Sequence, residues 1–272
     1  MQPGLRVIRR AGIAIVFCGL AGCGGRAASN RPADLDTMVL VPAGEFLRGR
    51  DGSIADEGPA RTLRLDAFYI DRTEVSNAAF KAFCDATGRL APANPAWDDN
   101  YYIANPDHPV VNITHEQATA FCAWKGKRLP TEAEWEKAAR GTDGRLYPWG
   151  RDWEDGRANI KGEPFERTAP VTSLPEGASP YGVLNMAGNV WEWCLDWFDD
   201  GYYAIAPAQN PAGPATPTAW RVVRGGGNSS PQSDAEVTNR SKAPPAQTIH
   251  HLGCRCAWSS KPPLPAGTPA RP

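Results

Sequence analysis

The stretch Leu184–Asp200, LNMAGNVWEWCLDWFDD, places Trp191, Trp193 and Trp197 among Glu192, Asp196, Asp199 and Asp200, behind a turn rich in amides. A plain core helix would not carry these acids, and a plain surface loop would not carry these indoles. The segment therefore reads as packing, as a metal site or as an active site. Alternation along an extended chain sends Glu192 opposite Trp191 and Trp193.

Working outward, three helices announce themselves by their caps. Ser76–Thr87 begins at a cap-type serine and stops at Gly88, with Phe80, Phe83 and Cys84 on one face. Thr114-His115-Glu116-Gln117 is a capping-box pattern whose helix ends near Lys125-Gly126, and Thr131-Glu132-Ala133-Glu134 opens another that ends at Arg140-Gly141. Upstream, residues 38–41, 46–48 and 61–70 are β-rich runs broken by Pro42-Ala43-Gly44 and Gly58-Pro59. After Gly141 turn chemistry dominates, interrupted by brief strands such as Trp220–Arg224 and Cys254–Ser259. With 27 Gly, 26 Pro and ten Trp in 272 residues, aromatic packing and turns are expected to outweigh long regular elements. No internal repeat or interdomain linker separates Thr37 from Ser260, which predicts a single α+β domain over 37–260.

The termini read differently. Arg6, Arg9 and Arg10 precede an apolar run, Ala11–Gly22, too short to span a bilayer as a stable helix, and Leu20-Ala21-Gly22-Cys23 follows at once. This resembles the bacterial lipobox, which implies a signal peptide over 1–22, acylation of Cys23 and an extracytoplasmic protein anchored to a membrane. An ordinary secretory signal cut near the same small residues is the alternative. Residues 23–36 read as a flexible tether, and 261–272 as a proline-rich tail. The formal net charge of −1 gives no basic surface for nucleic acid. In an oxidising compartment Cys84, Cys122, Cys194, Cys254 and Cys256 are an odd set, so at least one stays free or pairs outside the chain.

Eight motifs in order, MVLVPAGEFLRG, FYIDRTEVSNAAFKAF, HPVVNITHEQATAFCAWKGKRLPTEAEWEKAARG, YPWG, ANIKGEPFERTAPV, SPYGVLNMAGNVWEWCLDW, RVVRGGG and HLGCRCAW, span about residues 38–258. Together they resemble the formylglycine-generating enzyme family, the sulfatase-modifying-factor domain. The resemblance implies one irregular, loop-rich α+β domain akin to C-type lectin folds. It also implies calcium, held at one site by the side chains of Asn185 and Glu192 with the carbonyls of Gly188 and Val190. A second site would use Asn159 and Glu163 with the carbonyls of Ile160 and Phe165, and here Glu163 stands where the family usually has Asp. Such hard oxygen donors on a glycine-bent loop suit Ca²⁺. The bland alternative for Glu192 is a solvated acid. The family pattern further implies a disulfide from Cys122 to Cys256. Cys254 replaces a residue that is usually Phe; Cys84 is a partner open to it, and Cys194 reads as a buried thiol.

The family's oxidase converts a sulfatase cysteine to formylglycine with copper and O₂, using two cysteines shortly after a GGS motif. Here those positions fall on Ser230 and Ala235, and no cysteine lies between Cys194 and Cys254. Cu(I) selects thiolates, so copper is not expected. Related sulfoxide synthases draw iron ligands from a helical bundle for which no room exists before Met38, and His108, His115, His250 and His251 read as scattered surface residues. A Ser-His-Asp set from Ser229 or Ser230, His250 and Asp234 is not specified by spacing. The competing class is a binding module. Asn228, Ser229, Ser230, Asp234 and Arg240 would line a groove suited to a peptide, protein or glycan ligand, although an internal ion pair is the commoner role for Arg240. A structural envelope component is a third reading.

Overall fold

The helix starts predicted from local sequence are capped in the structure, a computed structural model that describes residues 31–261 apart from 53, 54 and 166, together with Met1. Helix α1 (Asn77–Thr87) takes the Ser76 hydroxyl as its N-cap and ends on left-handed Gly88. A short α2 (Tyr101–Ala104) precedes α3 (His115–Trp124), and α4 (Glu132–Arg140) follows. Both α3 and α4 carry complete capping boxes, Thr114 with Gln117 and Thr131 with Glu134. Each such cap contributes about 1 kcal/mol, which matters in helices of three turns or fewer. A one-turn helix, α5 (Tyr202–Ile205), comes late in the chain.

Among the described residues, nine short strands build three sheets. Strands β2 (Gly44–Arg48) and β3 (Arg61–Leu65) form an antiparallel pair. β1 (Val39–Val41), β4 (Phe68–Ile70) and β9 (Ala257–Trp258) form the second sheet, with β4 central. The run expected as one strand over 61–70 is thus two strands in two sheets. It turns at Asp66, whose backbone N–H is held by the Asn210 side chain at 2.8 Å.

The third sheet is ordered β7 (Ser241–Ala243), β6 (Arg221–Arg224), β5 (Trp191–Trp197), β8 (Leu252–Gly253). Strand β5, the tryptophan segment, pairs antiparallel with β6 and parallel with β8, with a bulge between Trp193 and Trp197. The alternation read from sequence, Glu192 opposite Trp191 and Trp193, is that of this strand, but the Glu192 face is buried as well. Trp193 and Val223 enter one core, with Phe80, Phe83, Phe121 and Leu252. Cys194 and Val222 enter the other, with Phe46, Leu63, Trp135 and Phe198. The sheet therefore divides two apolar clusters, which no alternating polar pattern could announce.

Cys122 and Cys256 form the implied disulfide, with Cα atoms 5.6 Å apart across 134 residues of sequence. It ties α3 to the chain entering β9, and a loop of that length corresponds to about 5 kcal/mol. The pairing of Cys84 with Cys254 is not made. Both are free and buried, and the Cys84 thiol faces the Leu90 carbonyl at 3.6 Å while accepting from the Tyr102 hydroxyl at 3.9 Å. The end of the expected tether is also not loose: Leu35 is buried, and Asp34 pairs with Lys125 and Lys127 at 3.0 Å each. The signal segment, Cys23 and residues 262–272 lie outside the described residues, apart from Met1. Among the described residues no helix is long and apolar enough to cross a membrane.

Candidate functional site

Three loops meet where β5 and β6 begin and end. Gly188 N–H donates to the Gly225 carbonyl at 2.8 Å, Asn189 N–H to the Asn159 carbonyl at 2.7 Å, and Asn228 N–H to the Asn189 carbonyl at 2.9 Å. Lys161 N–H closes the set on the Ser230 carbonyl at 3.0 Å. A Cβ on Gly188, at φ +80°, would lie 2.4 Å from the Asn159 carbonyl oxygen, so only glycine allows the 159–165 and 185–192 segments to touch. The two sets of calcium-type residues read from sequence are therefore neighbours.

Their carboxylates are placed unevenly. Glu192, fully buried, accepts from Arg255 Nε at 2.7 Å and Nη2 at 2.6 Å and from Trp135 Nε1 at 2.9 Å. It is neither a solvated acid nor an uncompensated one; its charge is matched by a buried guanidinium. Breaking such a pair from one side costs about 3–5 kcal/mol. The carboxylate facing Asn185 is instead Glu74, which sequence reading did not single out. Asn185 Nδ2 donates to Glu74 Oε2 at 2.9 Å and Asn189 Nδ2 to Glu74 Oε1 at 2.8 Å. The same two amides reach the carbonyls of Val171 and Ala169. Burial raises the Glu74 carboxyl to about 7, against the opposing field of Arg255. Asn185 and Asn189 both hold positive φ, a conformation asparagine tolerates better than most residues.

In the other set, Asn159 Nδ2 donates to the Arg167 carbonyl at 2.7 Å and to Asn189 Oδ1 at 3.1 Å. Its Oδ1 is buried with no hydrogen-bond partner among the described residues. An orphaned amide oxygen is what a bound cation would satisfy. The Ile160 carbonyl takes the Glu163 N–H at 3.1 Å, and the Glu163 carboxylate takes the Gly156 N–H at 2.8 Å. The donor chemistry near Asn159 thus fits calcium, whereas near Asn185 the amide nitrogen is turned to Glu74 and Glu192 is held by Arg255.

The third loop, 225–235, carries four of the five residues expected to line a groove, Asn228, Ser229, Ser230 and Asp234. Ser229 is exposed, Asn228 and Asp234 are half-buried, and Ser230 is buried. Ser230 Oγ accepts the Gly227 N–H at 3.1 Å, and its hydroxyl bonds the Asp234 carboxylate, partly offsetting the upward push of burial on that acid. Ala235 is sealed in a small cluster with Ala158, Ile160 and Ala187, flanked by Trp149 and Trp153. Beside Gly227 stand Trp191 and His251, close enough that a Cβ on the glycine would meet each at 3.3–3.4 Å.

Arg240 is not part of this rim. It clamps Glu132 through Nε at 2.7 Å and Nη2 at 3.0 Å, under the rings of Tyr203 and Phe198. Nor do the histidines converge. His115, expected at the surface, is buried with Nε2 3.0 Å from the Cys194 carbonyl, and burial lowers it to about 4. His108 contacts Thr168, while His250 and His251 meet edge to face with ring centroids 4.7 Å apart. Among the described residues no three His, Cys, Asp or Glu side chains gather as a metal cluster.

A loop-rich α+β domain with short split sheets and a site made of three joined loops defines a formylglycine-generating-enzyme-like, C-type-lectin-like module. The chain belongs to the family described as the sulfatase-modifying factor enzyme 1-like domain, which it matches over residues 25–260. It is 38% identical over 288 residues to the formylglycine-generating enzyme of Streptomyces coelicolor, covering 84% of this chain and 90% of that protein. It is 32% identical over 280 residues to the inactive C-alpha-formylglycine-generating enzyme 2 of Mus musculus, covering 82% and 86%. Among solved structures, PvdO from Pseudomonas aeruginosa superposes with a TM-score of 0.72 at 28% identity, covering 81% of this chain and 93% of that one.

Proposed function

We propose that this is a lipid-anchored, extracytoplasmic protein whose domain, braced by calcium, binds or scaffolds a peptide, protein or glycan ligand and lacks the thiol chemistry of the family's oxidase. The observation that supports this reading is the 225–235 loop: Ser230 and Ala235, on which the family resemblance puts the copper-binding cysteines, are the one engaged with Gly227 and Asp234 and the other sealed in apolar contact. A serine hydroxyl is neither a soft donor nor ionised at neutral pH. The described free thiols are Cys84, Cys194 and Cys254, all buried, and burial pushes those of Cys194 and Cys254 far from thiolate formation. The mouse relative named as inactive indicates that this domain persists without the oxidase activity. Asn228, Ser229 and Asp234, with Trp191 and His251 beside them, supply hydrogen-bonding groups and an aromatic edge for a ligand.

Calcium is supported by the orphaned Asn159 oxygen. Asn159 and Glu163 with the carbonyls of Ile160 and Phe165 would hold one ion. Asn185 and Glu192, with the carbonyls of Gly188 and Val190, would hold the other, with Arg255 sharing the Glu192 carboxylate. When bound, the ions supply cross-links between loops and no reaction step.

The test of function is incubation with Cu(I), O₂ and a sulfatase-motif peptide: no formylglycine is expected, and its appearance would reverse the reading. That second reading, an oxidoreductase of the formylglycine-generating type or a related periplasmic maturation enzyme, is favoured by the 38% identity to a formylglycine-generating enzyme across most of the chain. Intact-mass measurement on the membrane fraction tests acylation at Cys23, and an unmodified soluble product argues for plain secretion.

A further inference from the structure

The first of the continuously described residues, from Arg31, meet the end of α3. Asp34 pairs with Lys125 and Lys127, so the polypeptide joins the domain beside Trp124. Trp124 is 43% exposed, although its ring packs 5.7 Å from that of buried Phe83. The Arg89 guanidinium lies 5.6 Å from the same Phe83 ring, and the next residue, Leu90, is 89% exposed. The Lys125 ammonium sits 5.8 Å from the Trp124 ring. An indole, a leucine and two cations thus share one face, next to the point where the chain leaves toward Cys23.

We propose that this face, formed by Trp124, Leu90, Arg89 and Lys125, rests on an anionic phospholipid bilayer. The proposal rests on the lipid-anchor reading, because the anchor decides which side of the domain meets lipid. Residues 24–30, GGRAASN, are the only spacer between Cys23 and Arg31. A link of that length spans about 28 Å at full extension. A domain of this size is on the order of 40 Å across, so the link is too short to turn the far side toward the membrane. The side at the exit is held against the lipid surface. There Trp124 and Leu90 enter the headgroup boundary, and Arg89 and Lys125 meet lipid phosphates, the partition that indole and long basic side chains favour at such interfaces.

The test uses the full chain on vesicles of phosphatidylethanolamine and phosphatidylglycerol, with intact mass reporting acylation and amide hydrogen exchange reporting contact. Exchange over 83–91 and 121–127 is expected to slow roughly tenfold relative to the Cys23→Ser chain free in solution, as for a face covered about nine-tenths of the time. Exchange over 225–235 should stay unchanged. In the acylated chain carrying Leu90→Ser and Trp124→Ser, both surface changes, that protection should be lost while the protein stays on vesicles. An acylated, vesicle-bound wild-type chain that exchanges at these residues as freely as the soluble one overturns the proposal and leaves the anchor standing. If mass shows no acylation the anchor reading fails. The unacylated chain at high lipid then decides the face alone: protection at the same residues supports it, and none overturns it.

Discussion

The segment Leu184–Trp197 and the loop 225–235 lie side by side, yet they handle polar groups in opposite ways. In the first, Glu192 is fully buried and answered by Arg255 and Trp135, and Asp196 is buried with its Oδ2 on the Glu132 N–H at 2.9 Å. In the second, Ser229 is exposed and Asn228 and Asp234 are half-buried. The difference separates what holds the domain together from what the proposed reading would offer to a partner. Acids in the tryptophan segment are structural and costly to disturb, whereas exposed Ser229 is replaceable without loss of fold.

The sharpest way to break this comparison is with pH. Burial, then the neighbouring Glu132 charge, raises Asp196 from an ordinary 3.8 to about 8. A carboxyl whose folded-state value is raised favours the fold while protonated, so its contribution is complete below about 4 and is lost as pH rises through about 8. Denaturant titrations should show stability falling across that window by an amount on the order of 5 kcal/mol from this group, and Asp196→Asn should flatten the slope. An unchanged slope in the variant would remove Asp196 from the account.

Next in size is the Glu192–Arg255 pair. Arg255→Met should lower stability by about 3–5 kcal/mol by stranding a buried carboxylate. The double variant Glu192→Gln with Arg255→Met should cost less than the two singles together, as read from urea midpoints in a double-mutant cycle. Additive losses would mean that the two side chains act separately.

Calcium comes third. A thermal melt with and without chelator should shift by an amount equivalent to about 2–3 kcal/mol when the ion is at a hundredfold its dissociation constant. Asn159→Ala should reduce that shift. No shift, with no metal by elemental analysis, would remove the ions. Smallest is the loop: Ser229→Ala should change stability by less than about 0.5 kcal/mol.

What the sequence made legible was local. The caps at Ser76, Thr114 and Thr131 depend on residues within one turn, and all three helices begin there. In β5 the alternation of Glu192 with Trp191 and Trp193 was legible, but not that both faces are buried, Trp193 in one core and Cys194 in the other. Partners of the site were hidden for another reason: Glu74 and Asn185 are 111 residues apart, and Glu192 and Arg255 are 63 apart. No local pattern assigns a guanidinium from GCRC to the acid of WEW. The Cys122–Cys256 bond was reachable only through family resemblance.

The account's central claim is that the 225–235 loop has no soft donors for copper. Competition of the protein with a chromophoric Cu(I) chelator tests it most directly, run on the wild type and on the double variant Ser230→Cys with Ala235→Cys. The account predicts no competition by the wild type and one equivalent of Cu(I) taken up by the dithiol variant. Stoichiometric Cu(I) binding by the wild type, lost on Ser230→Ala, would contradict it.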